Sequence, residues 1–386
     1  MIKAAIPIAL QLLIDDVGWW SGKDGRKDGE PARTGIQRDH VPEDYEALAM
    51  LGRKLAMRPQ MAMCLCEWDK ENILRNLPDS TWMGKEWDNR RWVGPWIEQA
   101  ADIIRANAAH LEFTMHGIGH LYWNSAKKMT GVEWFDGLKM AARPENELRA
   151  HIEFYFRIMK QHNFGNLALE SFVAPCSLYG FGDADDGQTM ALKRSGIKYI
   201  STDFRNMQKS RPVEDDFFGM DHGVMVVDRK GNYVPWPAID CDPREPIGAK
   251  PILGLHWPNV LHSDFHGNGE IVDRWVDLLK KHDDALNTML AADTRMCWTQ
   301  IAYNRGTVLH GDDRAIELDF SRLVALAPQF LADCFILKIE SDRAIGVVSK
   351  DVEIVSLARD KGSRHYRVTA RRSPHTVKAQ LEIRCA

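Results

Sequence analysis

The chain has 386 residues, of which 45% are hydrophobic and 27% charged, with a formal net charge of −4. That composition is globular, long enough for one large α/β domain with a smaller appendage, and without the basic footprint of a nucleic-acid binder. No stretch approaches the ~18 consecutive apolar residues of a membrane span, and seven scattered cysteines, an odd number, argue against a disulfide framework.

Residues 1–14 are apolar but lack a long basic start and a small-residue cleavage site, so they read as a core strand rather than a leader, and the expected location is cytoplasmic. The run Pro7 to Ile14 ends in Asp15-Asp16-Val17-Gly18. Adjacent aspartates on a strand point to opposite sides, so one can bind a cation while the other approaches a reacting centre; the plainer alternative is an Asp-Asp turn capping the next segment. Trp19 and Trp20 then open a polar, Gly-rich loop over residues 21–39, where the indoles either stack on a sugar ring or turn into the core.

Apolar spacing predicts a helix from Pro42 to Met57 and a strand from Gln60 to Trp68, the first strand-helix-strand unit of a parallel sheet or barrel. Cys64 and Cys66 share a strand face, and with no second close pair they read as buried thiols. Trp82, Trp87, Trp92 and Trp96 fall in an irregular insertion, as staples onto the core or as a carbohydrate platform. After a helix over Trp96 to Asn107, the strand Leu111 to His116 delivers one imidazole at its end and His120 follows four residues later. Gly117 and Gly119 break helical regularity there, so the two histidines belong to a tight loop and make a candidate metal site. The Asp pair and His116 both sit at strand C-terminal ends, the edge where parallel α/β folds build their sites.

Further on, the pattern gives a helix over Pro144 to His162, a strand over Glu170 to Pro175, a helix over Gly187 to Ser195 and a strand over Ile197 to Thr202 that leads into Asp203. Pro251 to Trp257 brings His256 to a strand end, with His262 and His266 competing for any role it plays. Asn268 to His282 closes the main domain.

These landmarks, Asp15-Asp16, His116-Gly-Ile-Gly-His120, Phe172-Val173-Ala174-Pro175 and Leu255-His256, resemble in order the polysaccharide deacetylases of carbohydrate esterase family 4, over roughly residues 5 to 285. The resemblance implies Asp15 as general base, Asp16, His116 and His120 as metal ligands, and His256 as general acid. It also implies a backbone N–H at Cys176 as oxyanion donor, and an aspartate such as Asp203 orienting the catalytic histidine. The chain departs from the family at four points: Val17 separates the pair from Gly18, Val173 stands where an arginine holds the base, Cys176 replaces an aromatic, and Gly254 replaces a leucine. Another arginine must then orient Asp15, with Arg33, Arg38, Arg205 and Arg211 as candidates.

The expected fold is an α/β irregular (β/α) barrel of about seven strands over residues 1–285, a helical linker over 286–333 and a small antiparallel β module over 334–386. The expected chemistry is hydrolysis of an N-acetyl group on a carbohydrate or sugar-nucleotide-like small substrate. A divalent cation, zinc first among them, would be the cofactor, and Trp19, Trp20, Cys176 and Trp257 would touch the substrate. A glycoside hydrolase on a related barrel and a non-catalytic sugar-binding relative are the other readings.

Overall fold

The computed structural model describes residues 2–184, 187–312, 314–323, 331–332, 334–360 and 364–385. The chain forms two compact units, one made of Leu12–Arg244 and Ile252–Val276 and the other of Met1–Gln11, Glu245–Pro251 and Asp277–Ala386.

The first unit is a strand-helix succession: β1 (Ile8–Val17, which begins in the other unit), α1 (Pro42–Leu55), β2 (Gln60–Cys64), α2 (Pro95–Ala106), β3 (Glu112–Gly117), α3 (Glu145–Gln161), β4 (Ser171–Val173), α4 (Gln188–Arg194), β5 (Tyr199–Thr202), β6 (Phe218–Asp221), β7 (Val224–Asp228) and β8 (Ile252–His256). The strands make one sheet in the order β6-β7-β5-β4-β3-β2-β1-β8. Pairing runs parallel from β1 through β2, β3, β4 and β5 to β7, and the edge strand β6 is antiparallel to β7. Because helices cover a parallel sheet, both faces of its strands are buried, and so is every residue of β2 and β3, including the polar Gln60, Glu112, Thr114 and His116. The helices carry the expected end signals: α1 has Pro42 in its first turn with Glu43 and Asp44, and Arg53 and Lys54 in its last.

An irregular (β/α) barrel of about seven strands was expected, and the structure is a mixed α/β fold whose eight-stranded sheet curls into a half-barrel without closing. Only an isolated parallel bridge, Asn232 to Gly254, links the segment after β7 to β8. The chain leaves β7 through Lys230 and Gly231, both at positive φ (53° and 79°), and that turn breaks any longer ladder. Among the described residues no helix is long and apolar enough to cross a membrane.

In the second unit, Lys3–Ala5, Cys334–Glu340, His365–Arg371 and Glu353–Arg359 form one antiparallel sheet. Val308–Gly311, Ala315–Asp319, Lys378–Cys385 and Ile345–Ser349 form another. The expected helical linker over 286–333 is therefore partly wrong. It does contain the helix Thr294–Gly306, but Thr288–Leu290 is a strand on Ile8–Leu10, and residues 308–319 are a hairpin whose second strand pairs with Lys378–Cys385. A partner some 60 residues away leaves no local periodicity, so short strands there were unreadable. Residues 324–330 and 333, the end of the linker as drawn from sequence, lie outside the described residues.

Candidate metal centre

The ends of β1, β3, β4, β7 and β8 deliver Asp15, Asp16, His116, Val173, Arg229 and His256 to one edge of the sheet. Asp16 adopts φ 60°, and the β1–β2 register shifts between Ile14 and Val17. This bulge overturns the expectation that the two aspartates point to opposite sides. His256 Nε2 lies 3.8 Å from Asp15 Oδ2 and 3.9 Å from Asp16 Oδ2. A non-glycine residue at positive φ costs about 1–3 kcal/mol, and such strain collects at functional sites. Gly18, at φ 112°, follows because a Cβ there would meet the Cys64 carbonyl oxygen at 2.2 Å.

Asp16 Oδ1 is 3.6 Å from His116 Nε2 and 3.7 Å from His120 Nε2, too far for hydrogen bonds. Donor atoms ~2.0–2.2 Å from a tetrahedral ion stand about 3.4 Å apart, so these separations fit a shared cation. The three ligand atoms lie within 4.8 Å of one another, and no other such group of histidine, cysteine and carboxylate side chains occurs among the described residues. His116 Nδ1 is 2.8 Å from the Val173 carbonyl oxygen, which sets the tautomer with the proton on Nδ1 and leaves Nε2 for a metal. Burial pushes the Asp16 carboxyl upward, but the pull of His120, His116 and His256 outweighs it and holds the group well below the usual carboxylate range. Burial also lowers His120, whereas His116 rises because Asp16 and Asp15 outweigh its burial. The donor set therefore fits a divalent ion with one anionic and two imidazole ligands.

Glu133 shapes the loop between the two histidines. Its buried carboxylate accepts hydrogen bonds from Ile118 N at 2.8 Å and Gly119 N at 3.1 Å, its own N–H donates to the His120 carbonyl, and Trp134 Nε1 donates to the His116 carbonyl. A Cβ at Gly117 would sit 2.4 Å from Glu133 Oε2, so glycine is required there. Behind Glu133 stands His151, with Nδ1 2.8 Å from Glu133 Oε1 and Nε2 3.3 Å from Asp79 Oδ1. Burial lowers the His151 pKa, but the two carboxylates outweigh it and push it up to about 9. Because the folded value exceeds that of a free imidazole, about 6.5, its stabilisation is complete below about pH 6.5 and lost as pH rises through about 9. The melting temperature is expected to fall more between pH 6.5 and 9.5 in the wild type than in His151→Gln; equal slopes would refute the assignment.

Asp15 is oriented by Arg229, which none of the four sequence candidates anticipated. Arg229 Nη1 donates to Asp15 Oδ2 at 2.6 Å with both side chains buried, and Arg229 Nη2 holds Asn232 Oδ1 at 2.5 Å. The guanidinium passes over Gly254, where a Cβ would meet Nη2 at 2.7 Å and Nε at 3.0 Å. The candidates are engaged elsewhere: Arg33 with Glu67, Arg38 with Asp44, Arg205 with Asp203 and Arg211 with Glu214. Asp203 is paired with Arg205 and does not orient His256, whose Nδ1 is buried without a partner. Burial lowers the His256 pKa against the pull of Asp15 and Asp16, so its imidazole is neutral at rest. His262 lies 3.6 Å from Asp240, and neither it nor His266 lines the cavity.

These groups line a cavity of about 840 Å³ that also presents Trp19, Trp123 and Trp236. Two of the expected substrate contacts are corrected. Trp20 packs against Tyr45 and Trp68 at ring separations of 5.7 and 5.4 Å, and Trp257 stacks on His40 at 3.8 Å, both away from the cavity wall. Trp20 is drawn inward because its N–H and that of Ser21 donate to the buried Glu67 carboxylate. Cys176 does line the cavity, at φ 53°. Burial, then the charges of Asp16 and Asp15, push its thiol up to about 11 against Arg229, so it is no nucleophile at neutral pH. Arg229, Trp123 and Trp236 were missed from sequence; Pro235-Trp236-Pro237, a stiff indole-bearing turn, was the available signal for one of them.

No protein-family model matches the chain, and neither a curated protein nor a solved structure matches it.

Proposed function

We propose that the chain is a metal-dependent amide hydrolase of the polysaccharide-deacetylase kind, removing an N-acetyl group from a carbohydrate. The observation that carries this reading is the Asp16–His116–His120 trio at metal-ligand spacing with Asp15 and His256 beside it, the pattern the sequence resemblance implies. Asp16, His116 and His120 would hold a divalent ion, which would supply Lewis acidity to the acyl carbonyl and the attacking water. Asp15 Oδ2, kept in place by Arg229, takes the proton of the water as its oxygen adds to the acyl carbon. His256 Nε2, 3.8 Å from that oxygen, passes a proton to the amine nitrogen as the C–N bond breaks, giving acetate and a free amine. The proton that His256 passes on is the one Asp15 has taken from the water, so an imidazole neutral at rest suits this role. The Cys176 turn and the cavity indoles bound the space in which a sugar ring would sit.

A glycoside hydrolase needs two carboxylates facing each other across a bond, about 5–9.5 Å apart, whereas Asp15 and Asp16 both approach His256 from one strand end. Elemental analysis of the purified protein is expected to find about one divalent ion per chain, lost in a His116→Ala, His120→Ala double variant, together with chelator-sensitive acetate release from N-acetylated sugars. Metal-free protein that takes up no ion on titration would remove the reading. Metal without acetate release would leave a binding protein.

A further inference from the structure

Between His120 and α3 the chain builds two small hairpins, Leu121–Trp123 with Met129–Val132 and Phe135–Asp136 with Ala141–Ala142. They present Leu138 at 89% exposure, Met129 at 56% and Met140 at 44%. One exposed leucine is ordinary on a protein surface, but three such side chains within one short insertion mark an interaction surface. The exposure is built in. Asp136 Oδ1 accepts from the backbone N–H groups of Leu138 and Lys139 at 3.1 and 3.2 Å, and Met140 sits at φ 51°, so the turn is held in the shape that pushes Leu138 outward.

The charge of the insertion opposes that of the chain. Residues 124–143 bring Lys127, Lys128, Lys139 and Arg143 against Glu133 and Asp136, in a protein of net charge −4. Glu133 and Arg143 are both buried, Asp136 is committed to its turn and to Lys139 Nζ at 3.4 Å, and Lys127 is paired with Glu86, which leaves Lys128 and the largely exposed Lys139 as the cations of the surface. What reaches solvent is therefore apolar tips interleaved with lysines. This is the surface chemistry that settles on an anionic bilayer, with apolar side chains at the acyl boundary and ammonium groups among the phosphates. The same insertion is a wall of the cavity, through Lys127, Lys128 and Met129. The second turn lies alongside: a Cβ at Gly137 would meet Leu178 at 3.5 Å, and the neighbouring Cys176 and Ser177 also line the cavity.

We propose that Met129 and the Leu138–Met140 tip seat the protein on an anionic lipid surface, so that the cavity opens onto the headgroups and takes an acylated amine carried on a lipid. The substrate half rests on the amide-hydrolase reading above; the docking half does not. The binding is peripheral and reversible, as expected for a few apolar side chains and lysines.

The test is co-sedimentation of the full chain with vesicles of phosphatidylcholine alone and of phosphatidylcholine containing about 25% phosphatidylglycerol. Binding to the anionic vesicles is expected to be about tenfold tighter, to weaken with salt, and to fall by about tenfold in the Leu138→Asp, Met140→Asp variant. Lys139→Gln should weaken it by a smaller factor, and neither variant touches a residue that lines the cavity. Asp15→Asn protein treated with chelator should sediment like the wild type, so a failed hydrolase reading and a failed docking surface give different results. Absence of binding to the anionic vesicles at low salt, or equal binding by the wild type and the Leu138→Asp, Met140→Asp variant, overturns the proposal. So does sedimentation that follows a protein partner and not the lipid.

Discussion

Arg229→Met is expected to lower acetate release by on the order of 10²-fold or more while leaving the bound metal in place. The guanidinium holds Asp15 Oδ2 at 2.6 Å, both side chains are almost fully buried, and Asp15 Oδ1 has no other partner. Removing it leaves a buried carboxylate uncompensated beside a second one, a loss that in buried pairs costs about 3–5 kcal/mol, so the melting temperature should fall as well. Arg229→Lys should recover part of the activity, because an ammonium restores the charge but not the fork that also grips Asn232. Gly254→Ala tests the same geometry from the other side: its methyl would sit 2.7 Å from Nη2 and must displace the guanidinium. The measurements are kcat/KM for acetate release, metal content and thermal unfolding, taken together. A folded, metal-loaded Arg229→Met protein with wild-type kcat/KM would show that Asp15 needs no such partner, or is not the base.

Glu133→Ala is expected to weaken metal binding by about 10- to 100-fold, the usual consequence of removing the groups that orient metal ligands. The residue touches no metal itself; it ties down Ile118 N and Gly119 N and so fixes the loop that aims both imidazoles. His120 stands at φ 62°, a conformation that the loop must impose on it. Glu133→Gln should lie between wild type and Glu133→Ala, since an amide offers one accepting oxygen where two backbone donors and His151 converge. Competition with a chromogenic chelator gives the affinities, and circular dichroism shows whether the fold is kept. Unchanged affinity in a folded Glu133→Ala protein would mean that the histidine loop is held by the sheet alone.

The strand-helix alternation up to α4 was readable because the longer helices span several turns of their own period, and strands such as β1 and β2 are apolar-rich runs between turn residues. Asp15, Asp16, His116 and His256 were readable because each stands at the end of a strand, and His120 because it follows His116 by four residues. What escaped was whatever depends on contact between distant parts of the chain. Arg229 lies more than 200 residues from Asp15, in a polar turn that offers no pattern. The left-handed turn at Asp16 is a local event without a local sequence rule, since aspartate is only an occasional visitor to that region. Trp20 and Trp257 look like Trp19 in sequence; only their packing against Tyr45, Trp68 and His40 separates core indoles from one that borders the cavity.

Gly254 and Arg229 are, in physical terms, a single feature. With the guanidinium arriving from Arg229, the space over residue 254 is filled from outside, and no side chain fits there. Arg229 and residue 254 are therefore coupled: the guanidinium occupies its place only because residue 254 has no Cβ. Gly254→Leu is expected to be severe in the wild type yet add little in an Arg229→Met background, a strongly non-additive pair that binds two residues 25 positions apart into one steric unit.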